Sequence, residues 1–160
     1  MKASIIYNSY SGNTRAIAEK VAAATGGSLV EVKSKEHSFR IAEYVLGSMK
    51  ARKGGIDRIE PAAIDVTSDD LIVIGTPVWA DRATPAINGA VEALAGCSGK
   101  KAVIFATCGG KGENTISFLK KALEAKGVTV TGEFVFDRMG LKDQGRIDEL
   151  IARVKSGSNT

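Results

Sequence analysis

Three short segments of the chain carry residues that could bind a small ligand: NSYSGNT, TPVWADRAT and TCGGKGENT. In the first, Ser9, Ser11, Asn13 and Thr14 supply neutral hydrogen-bond donors, and Gly12 lets the backbone approach a ligand closely. An apolar run precedes this segment and a helical pattern follows it, so the partly positive start of a helix points into the turn. A turn of this kind suits a phosphate group.

The type of phosphate is restricted by what the three segments lack. The first segment has no lysine of the kind that a P-loop uses, and no serine or threonine directly follows Lys111 in the third, which argues against a nucleoside triphosphate. The glycine spacing is wrong for a Rossmann dinucleotide site, and no acidic residue ends the second strand. A phosphomonoester held by dipoles alone fits best.

The elements that position these segments alternate regularly along the chain. Short apolar or β-branched runs predict five strands, at residues 3–7, 28–32, 71–76, 102–107 and 129–136. The third and fourth are apolar on both faces, as buried parallel strands are. Five helical patterns accompany them, so the sequence predicts an α/β fold with an open parallel sheet covered on both faces. In such a sheet the ligand site lies beyond the carboxyl ends of the strands, where the winding reverses.

Apolar residues at helical spacing predict the face that each helix turns to the core. These residues are Ile17 and Val21; Ile87, Val91 and Leu94; Ile116, Leu119 and Leu123; and Ile147, Leu150, Ile151 and Val154. A weaker helix over residues 38–51 carries Ile41, Val45 and Met49. Thr84 and Pro85 are typical of a helix start, and Gly127 of a left-handed helix end. The length predicts one domain over residues 1–160, with 156–160 as a frayed tail.

The net charge of +4 is concentrated in one part of the chain. Three acidic residues in this part are outnumbered by seven basic ones, which are Lys33, Lys35, Arg40, Lys50, Arg52, Lys53 and Arg58. This basic window indicates either a solvated surface or a docking patch for an acidic partner protein or an anionic cofactor tail. Nucleic acid is disfavoured because no aromatic residues are interleaved to stack on bases.

The composition of the chain indicates where in the cell it is expected and which metal sites it could form. No targeting segment or membrane-length apolar run is present, so the expected location is the cytoplasm, with no membrane partner. Cys97 and Cys108 are then expected as reduced thiols. His37 is the lone histidine, which excludes a histidine metal cluster, and no metal site is predicted.

The three segments together resemble the flavin-binding loops of the flavodoxin family. SYSGNT, at residues 9–14, resembles its phosphate-binding loop, GTPVWA at 75–80 looks like its second flavin loop, and TCGG at 107–110 stands where the third belongs. The resemblance covers essentially the whole chain. It implies a flavodoxin-like doubly wound sheet of five parallel strands in the order 2-1-3-4-5, with FMN bound where the winding reverses.

The resemblance also implies roles for particular residues. Trp79 would stack against one face of the flavin ring, and backbone amides from Cys108 to Gly110 would meet the pyrimidine edge of the ring. The implied cofactor-binding residues are Ser9, Tyr10, Ser11, Gly12, Asn13, Thr14, Thr76, Pro77, Val78, Trp79, Ala80, Asp81, Thr107, Cys108, Gly109 and Gly110.

Two departures from familiar flavodoxins affect these roles. The third segment has no aromatic residue to cover the outer flavin face, so either Tyr44 or Met49 covers it or the face is open to a second substrate. The chain is also basic, and Arg82 and Lys111 on the flavin loops are expected to stabilise the anionic, fully reduced flavin. Ala80 stands where those proteins commonly have glycine.

Three functions compete on this basis. The favoured one is an FMN electron carrier that has no catalytic residue of its own and exchanges electrons with a redox partner protein, for which an acidic surface is one option. The second is an NAD(P)H-dependent FMN or quinone reductase of the same fold. The third is a flavin-free binding module, because fold does not imply function.

Overall fold

A computed structural model of the chain describes residues 1–36 and 40–157. Five parallel strands form its central sheet, and they lie in the order β2-β1-β3-β4-β5, which confirms the predicted topology. The strands are β1 (Ala3–Tyr7), β2 (Ser28–Glu31), β3 (Leu71–Trp79), β4 (Lys101–Thr107) and β5 (Thr129–Phe136). Short strand pairs join Lys33–Ser34 to Ile59–Glu60 and Ile64–Asp65 to Leu94–Ala95.

Five α-helices accompany the sheet, and a 3₁₀ turn (Gly140–Lys142) precedes the last one. The helices are α1 (Asn13–Thr25), α2 (Arg40–Arg52), α3 (Pro85–Ala93), α4 (Glu113–Glu124) and α5 (Gln144–Ser156). Successive residues of the strands point to opposite faces of the sheet and belong to two separate apolar clusters. Ile5 of β1 packs with α1 and α5, whereas Ile6 packs with α3 and α4, so helices cover both faces. No helix in the described part of the chain is long and apolar enough to cross a membrane.

Local sequence signals explain where the helices next to the ligand segments begin and end. Gly12 has a φ of 97° before α1, and Gly26 has a φ of 72° after it, a backbone region that glycine enters without steric cost. The Thr84 side chain accepts a hydrogen bond from the Ile87 amide at the start of α3, and Pro85 occupies the first turn, where no amide hydrogen is needed.

Helix α2 has a different buried face from the predicted one. The prediction turned Val45 and Met49 to the core, but these side chains are 52% and 62% exposed, while Gly47 and Ala51 are buried. A Cβ atom on Gly47 would lie 2.4 Å from Cζ3 of Trp79, so the helix backbone packs directly on the indole ring. This close approach is possible only at glycine. The side chain of Ile41 and residues 38–39 lie outside the described part.

Strand β3 continues three residues beyond its predicted end and forms a hairpin. Val78 pairs with Ala83 and Trp79 pairs with Arg82. The two residues between them, Ala80 and Asp81, have φ values of 48° and 64°. A two-residue hairpin of the type I′ class has positive φ at both central positions, which matches the strand twist, and Ala80 and Asp81 adopt this conformation although neither is glycine.

Candidate functional site

A cleft of about 220 Å³ lies at the carboxyl ends of β1, β3 and β4. It brings the three predicted segments together through Tyr10, Ser11, Asn13, Pro77, Val78, Trp79, Thr107, Cys108 and Gly109. Three further residues complete its walls: Tyr44, Arg138 and Leu141. The cleft therefore lies where the winding of the sheet reverses, which is the position at which the sequence predicts a ligand site.

The turn between β1 and α1 leaves backbone amides free to bind an anion. The Ser9 hydroxyl accepts hydrogen bonds from the amides of Gly12 (3.1 Å) and Arg15 (3.3 Å), which fixes the shape of the turn. Among the described residues, no acceptor meets the amides of Ser11, Asn13 and Thr14, and the N-cap residue, Gly12, has no side chain to cap the helix. Unpaired amides at a helix start form an anion site.

Thr14 contributes to this turn in a way that the sequence did not indicate. Its side chain is buried, and its hydroxyl lies 2.8 Å from the hydroxyl of Thr107, which is 93 residues away. The hydroxyl that was expected to meet a phosphate therefore joins the start of α1 to the end of β4. The backbone amide of Thr14 is unpaired among the described residues as well and is available to a ligand.

Asn8 holds the same end of the sheet together and was missed in the sequence. Its side-chain amide donates to the carbonyl of Val32 (2.9 Å), and its side-chain oxygen accepts from the Thr84 hydroxyl (2.9 Å). Its backbone amide donates to Gly75. An asparagine at a strand end is an ordinary turn residue in sequence terms, and no local pattern reveals partners this distant.

Three aromatic rings form one side of the cleft. The ring centroids of Tyr10 and Tyr44 each lie 5.6 Å from that of Trp79, at interplanar angles of 81° and 75°. Edge-to-face contacts of this kind stabilise the cluster beyond the area it buries. Of the two residues considered as covers, Tyr44 lines the cleft, whereas Met49 is exposed and outside the lining.

The third segment offers two free amides rather than three. The amide of Cys108 donates to the carbonyl of Phe136 (3.0 Å), whereas the amides of Gly109 and Gly110 meet no acceptor among the described residues. The Cys108 thiol contacts the carbonyl of Gly110 at 3.2 Å. Burial raises the pKa of this thiol above its ordinary value, so it is protonated at neutral pH and unsuited to nucleophilic chemistry.

Several predicted site residues lie outside the cleft lining. Thr76 is fully buried, and its hydroxyl donates to Pro77 and accepts from the Thr84 amide. Ala80 and Asp81 line a separate hollow at the hairpin tip, with Arg52 and Arg82. The others outside the lining are Ser9, Gly12, Thr14 and Gly110.

The cationic side chain that lines the cleft is neither Arg82 nor Lys111, the two that the sequence predicted. The guanidinium of Arg82 lies over the ring of Phe118, 3.5 Å from its centroid, and Lys111 is exposed outside the cleft lining. Arg138, which follows β5, lines the cleft instead. Its position could not be read from the sequence, because it depends on how the loop after β5 folds back towards Gly109.

Lys50 of the basic window has a structural role. Its ammonium lies 2.6 Å from both Asp57 and Glu36, and the Asp57 side chain is only 3% exposed. The hydrogen bond from Lys50 lowers the pKa of Glu36 to about 2. Arg52 and Lys53, by contrast, are exposed at the end of α2. His37 and the side chain of Arg40 lie outside the described part.

Comparison with known proteins agrees with this architecture. A sequence-family profile described as flavodoxin matches residues 2–138. A flavoprotein of Lactobacillus acidophilus, solved in complex with FMN, is 25% identical over 93% of this chain and 97% of its own, with a TM-score of 0.69. A candidate flavoprotein of Bacteroides eggerthii is 26% identical, with coverages of 94% and 98% and a TM-score of 0.72.

A third structure has the same fold at lower identity. The two-electron reduced flavodoxin of Megasphaera elsdenii is 22% identical over 96% of this chain and 98% of its own, with a TM-score of 0.64. No curated protein matches the sequence.

Proposed function

Because the chain belongs to the flavodoxin family, we propose that it binds FMN in the cleft and carries electrons between partner proteins. One observation carries the proposal: Ser11 and Asn13, whose amides are unpaired among the described residues, line the same cleft as the aromatic group around Trp79, and the unpaired amide of Thr14 follows directly in the chain. This donor set is neutral and lies at a helix start, which suits a phosphomonoester.

The residues of the cleft divide into two ends with different tasks. At one end, the amides of Ser11, Asn13 and Thr14 hold the phosphate. At the other, Trp79 packs against the flavin ring, and the amides of Gly109 and Gly110 meet its polar edge. FMN supplies the redox chemistry when it is bound, and the chain orients it and limits its access to water.

The carrier role is favoured by the position of Tyr44. Its ring lies 5.6 Å from that of Trp79 in the cleft wall, where it takes up space that a stacking second substrate of a reductase would need. A carrier needs no such space, because electrons pass between proteins without the partner entering the cleft.

Reconstitution with three flavins tests the proposal. We expect FMN to bind at least about tenfold more tightly than riboflavin, since charge-assisted hydrogen bonds to phosphate contribute about 1.5–3 kcal/mol each. FAD is expected to bind weakly, because its riboflavin phosphate is joined to AMP through a diphosphate and is not a terminal monoester. Failure to take up any flavin would contradict the proposal and favour the flavin-free alternative. Equal affinities for FMN and riboflavin would show that the first turn does not bind the phosphate.

A reductase is the second candidate, favoured by the hollow at the hairpin tip. Arg52 and Arg82 line this hollow of about 450 Å³, next to the hairpin that carries Trp79. Two guanidinium groups suit the phosphates of NAD(P)H.

Anaerobic mixing of the FMN-loaded protein with NADH or NADPH decides between the two roles. Loss of flavin absorbance at catalytic rates, slowed by Arg52→Gln and Arg82→Gln but not by Lys53→Gln, would establish the reductase. The carrier predicts no such loss without a separate reductase protein.

For the carrier, the outward face of α2 is the docking surface for an acidic redox protein. Val45, Leu46 and Met49 are about half exposed or more on this face, and the cations Arg52 and Lys53 follow at its end. Tyr44 connects the face to the cleft. Apolar area beside positive charge complements an acidic partner and accelerates its association.

Small redox probes test the charge of this surface without a known partner. We expect Arg52→Glu with Lys53→Glu to slow electron transfer from reduced FMN to ferricyanide, an anion, and to accelerate transfer to a cationic cobalt complex. Both effects should shrink as salt shortens the Debye length to about 3 Å at 1 M. Rates indifferent to charge and salt would leave these cations as solvated surface.

A further inference from the structure

We propose that Arg138 belongs to the cofactor site and that its charge raises the reduction potential of the bound flavin. This inference rests on the proposed binding of FMN in the cleft. It concerns a residue outside the three segments that resemble flavodoxin loops, on the loop that follows β5.

The position of Arg138 is specific to the third-segment end of the cleft. A Cβ atom on Gly109 would lie 3.8 Å from Nε and 3.9 Å from Nη2 of Arg138, so the guanidinium lies directly beside this glycine. The amides of Gly109 and Gly110 meet no acceptor in the described part of the chain. A cation and the free amide of Gly109 therefore lie at the same end of the cleft, and the free amide of Gly110 follows in the chain.

The guanidinium of Arg138 is not held by a carboxylate in the described part of the chain. It forms no ion pair with any described residue. The adjacent carboxylate, Asp137, accepts hydrogen bonds from the amides of Met139 and Gly140. Glu113 accepts from the amide of Gly112. Of the described residues that line the cleft, Arg138 alone carries a formal charge.

A cation at this end distinguishes between the two redox states of the flavin. If an external reductant supplied two electrons and water one proton, the oxidised, neutral ring would carry one negative charge in its pyrimidine part. A nearby guanidinium stabilises that anion more than the neutral ring, and because Arg138 is exposed, water screens part of this effect. Reduced FMN should therefore bind more tightly than it would without Arg138.

The experiment compares the FMN-loaded protein with Arg138→Gln, Arg138→Lys and Lys142→Gln. We measure the affinity for oxidised FMN and the two-electron midpoint potential against a reference dye at pH 7. We expect Arg138→Gln to weaken the binding of reduced FMN about tenfold more than that of oxidised FMN, which lowers the potential by about 30 mV. Arg138→Lys should retain most of the potential. Lys142→Gln, which removes an equal charge outside the cleft lining, should leave the potential unchanged.

Riboflavin separates the flavin ring from the phosphate as the partner of Arg138. If Arg138 acts on the ring, the potential of bound riboflavin falls by a similar amount in Arg138→Gln. A loss of affinity for oxidised FMN, with riboflavin affinity and both potentials unchanged, would assign Arg138 to the phosphate and overturn the proposal. Reduction potentials that do not change in Arg138→Gln would also overturn the proposal for Arg138, while the proposed FMN site would be unaffected. Failure of the wild-type protein to bind either flavin would overturn both proposals.

Discussion

The turns that follow β1 and β3 lie next to the same cleft and are built in opposite ways. Both contain left-handed backbone, at Gly12 in the first turn and at Ala80 and Asp81 in the second. The first turn leaves amides unpaired at the start of α1, whereas the second is closed by pairing of Val78 with Ala83. An open turn can bind an anion, and a closed hairpin can hold Trp79 in a fixed place.

Because of this contrast, the affinities for FMN and riboflavin can distinguish the contributions of the two turns. Damage to the first turn should weaken the binding of FMN and spare riboflavin, which lacks the phosphate. Damage around Trp79 should weaken the binding of both flavins alike. Each variant is therefore tested for its affinity for the two flavins and for its free energy of unfolding.

The largest effect is expected from Gly47→Val, on the helix that covers Trp79. The added Cβ would lie 2.4 Å from the indole ring, so the ring or the helix must move, and we expect the free energy of unfolding to fall by about 3 kcal/mol. FMN and riboflavin should both bind more weakly, by similar factors, in a fluorescence titration. A selective loss of FMN affinity would contradict the separation of the two ends.

Thr14→Val tests the side-chain bond that attaches the first turn to β4. The substitution leaves the buried hydroxyl of Thr107 without its partner, and we expect a loss of about 2 kcal/mol in urea unfolding. The double variant with Thr107→Val should recover most of this loss, because both polar groups are then removed. FMN affinity should change little in the double variant, since the Thr14 amide remains. A large, FMN-specific loss would show that the Thr14 hydroxyl reaches the phosphate.

Gly12→Ala strains the first turn without a steric clash. Nothing lies within 4 Å of the added Cβ, but the φ of 97° is unfavourable for alanine and should cost about 1–2 kcal/mol. We expect FMN to bind about tenfold more weakly and riboflavin to be unaffected. Gly99→Ala is the matched control, because its φ of 78° and open surroundings are similar and it does not line the cleft. It should lower stability without altering either affinity.

The smallest effect is expected from Ala80→Gly in the hairpin. Glycine removes the strain at a φ of 48°, and we expect the free energy of unfolding to rise by up to about 1 kcal/mol, since greater freedom of the unfolded chain offsets part of the gain. Both flavin affinities should stay within a factor of two, because Ala80 lies outside the cleft lining. A fall in stability would mean that the turn is not strained.

Much of the fold could be predicted because its signals are local. The bounds of β1 and β5 agree with the predicted runs, and the start of α3 follows from Thr84 and Pro85. Strand β3 was predicted too short because Pro77 is a turn residue in isolation. In the structure this proline lies at the edge of the hairpin, where the chain continues in an extended conformation.

The sequence by itself determined the strand order through its family pattern, the phosphate turn through its glycine and hydroxyls, and the apolar faces of four helices through their period. Only the tertiary structure decided which face of α2 is buried, where the Thr14 hydroxyl points and which cation reaches the cleft. The physical reason is distance along the chain. Hydrophobic periods and turn chemistry act within a few residues, whereas the contacts of Gly47 with Trp79, of Thr14 with Thr107 and of Arg138 with Gly109 exist only after the crossovers have packed.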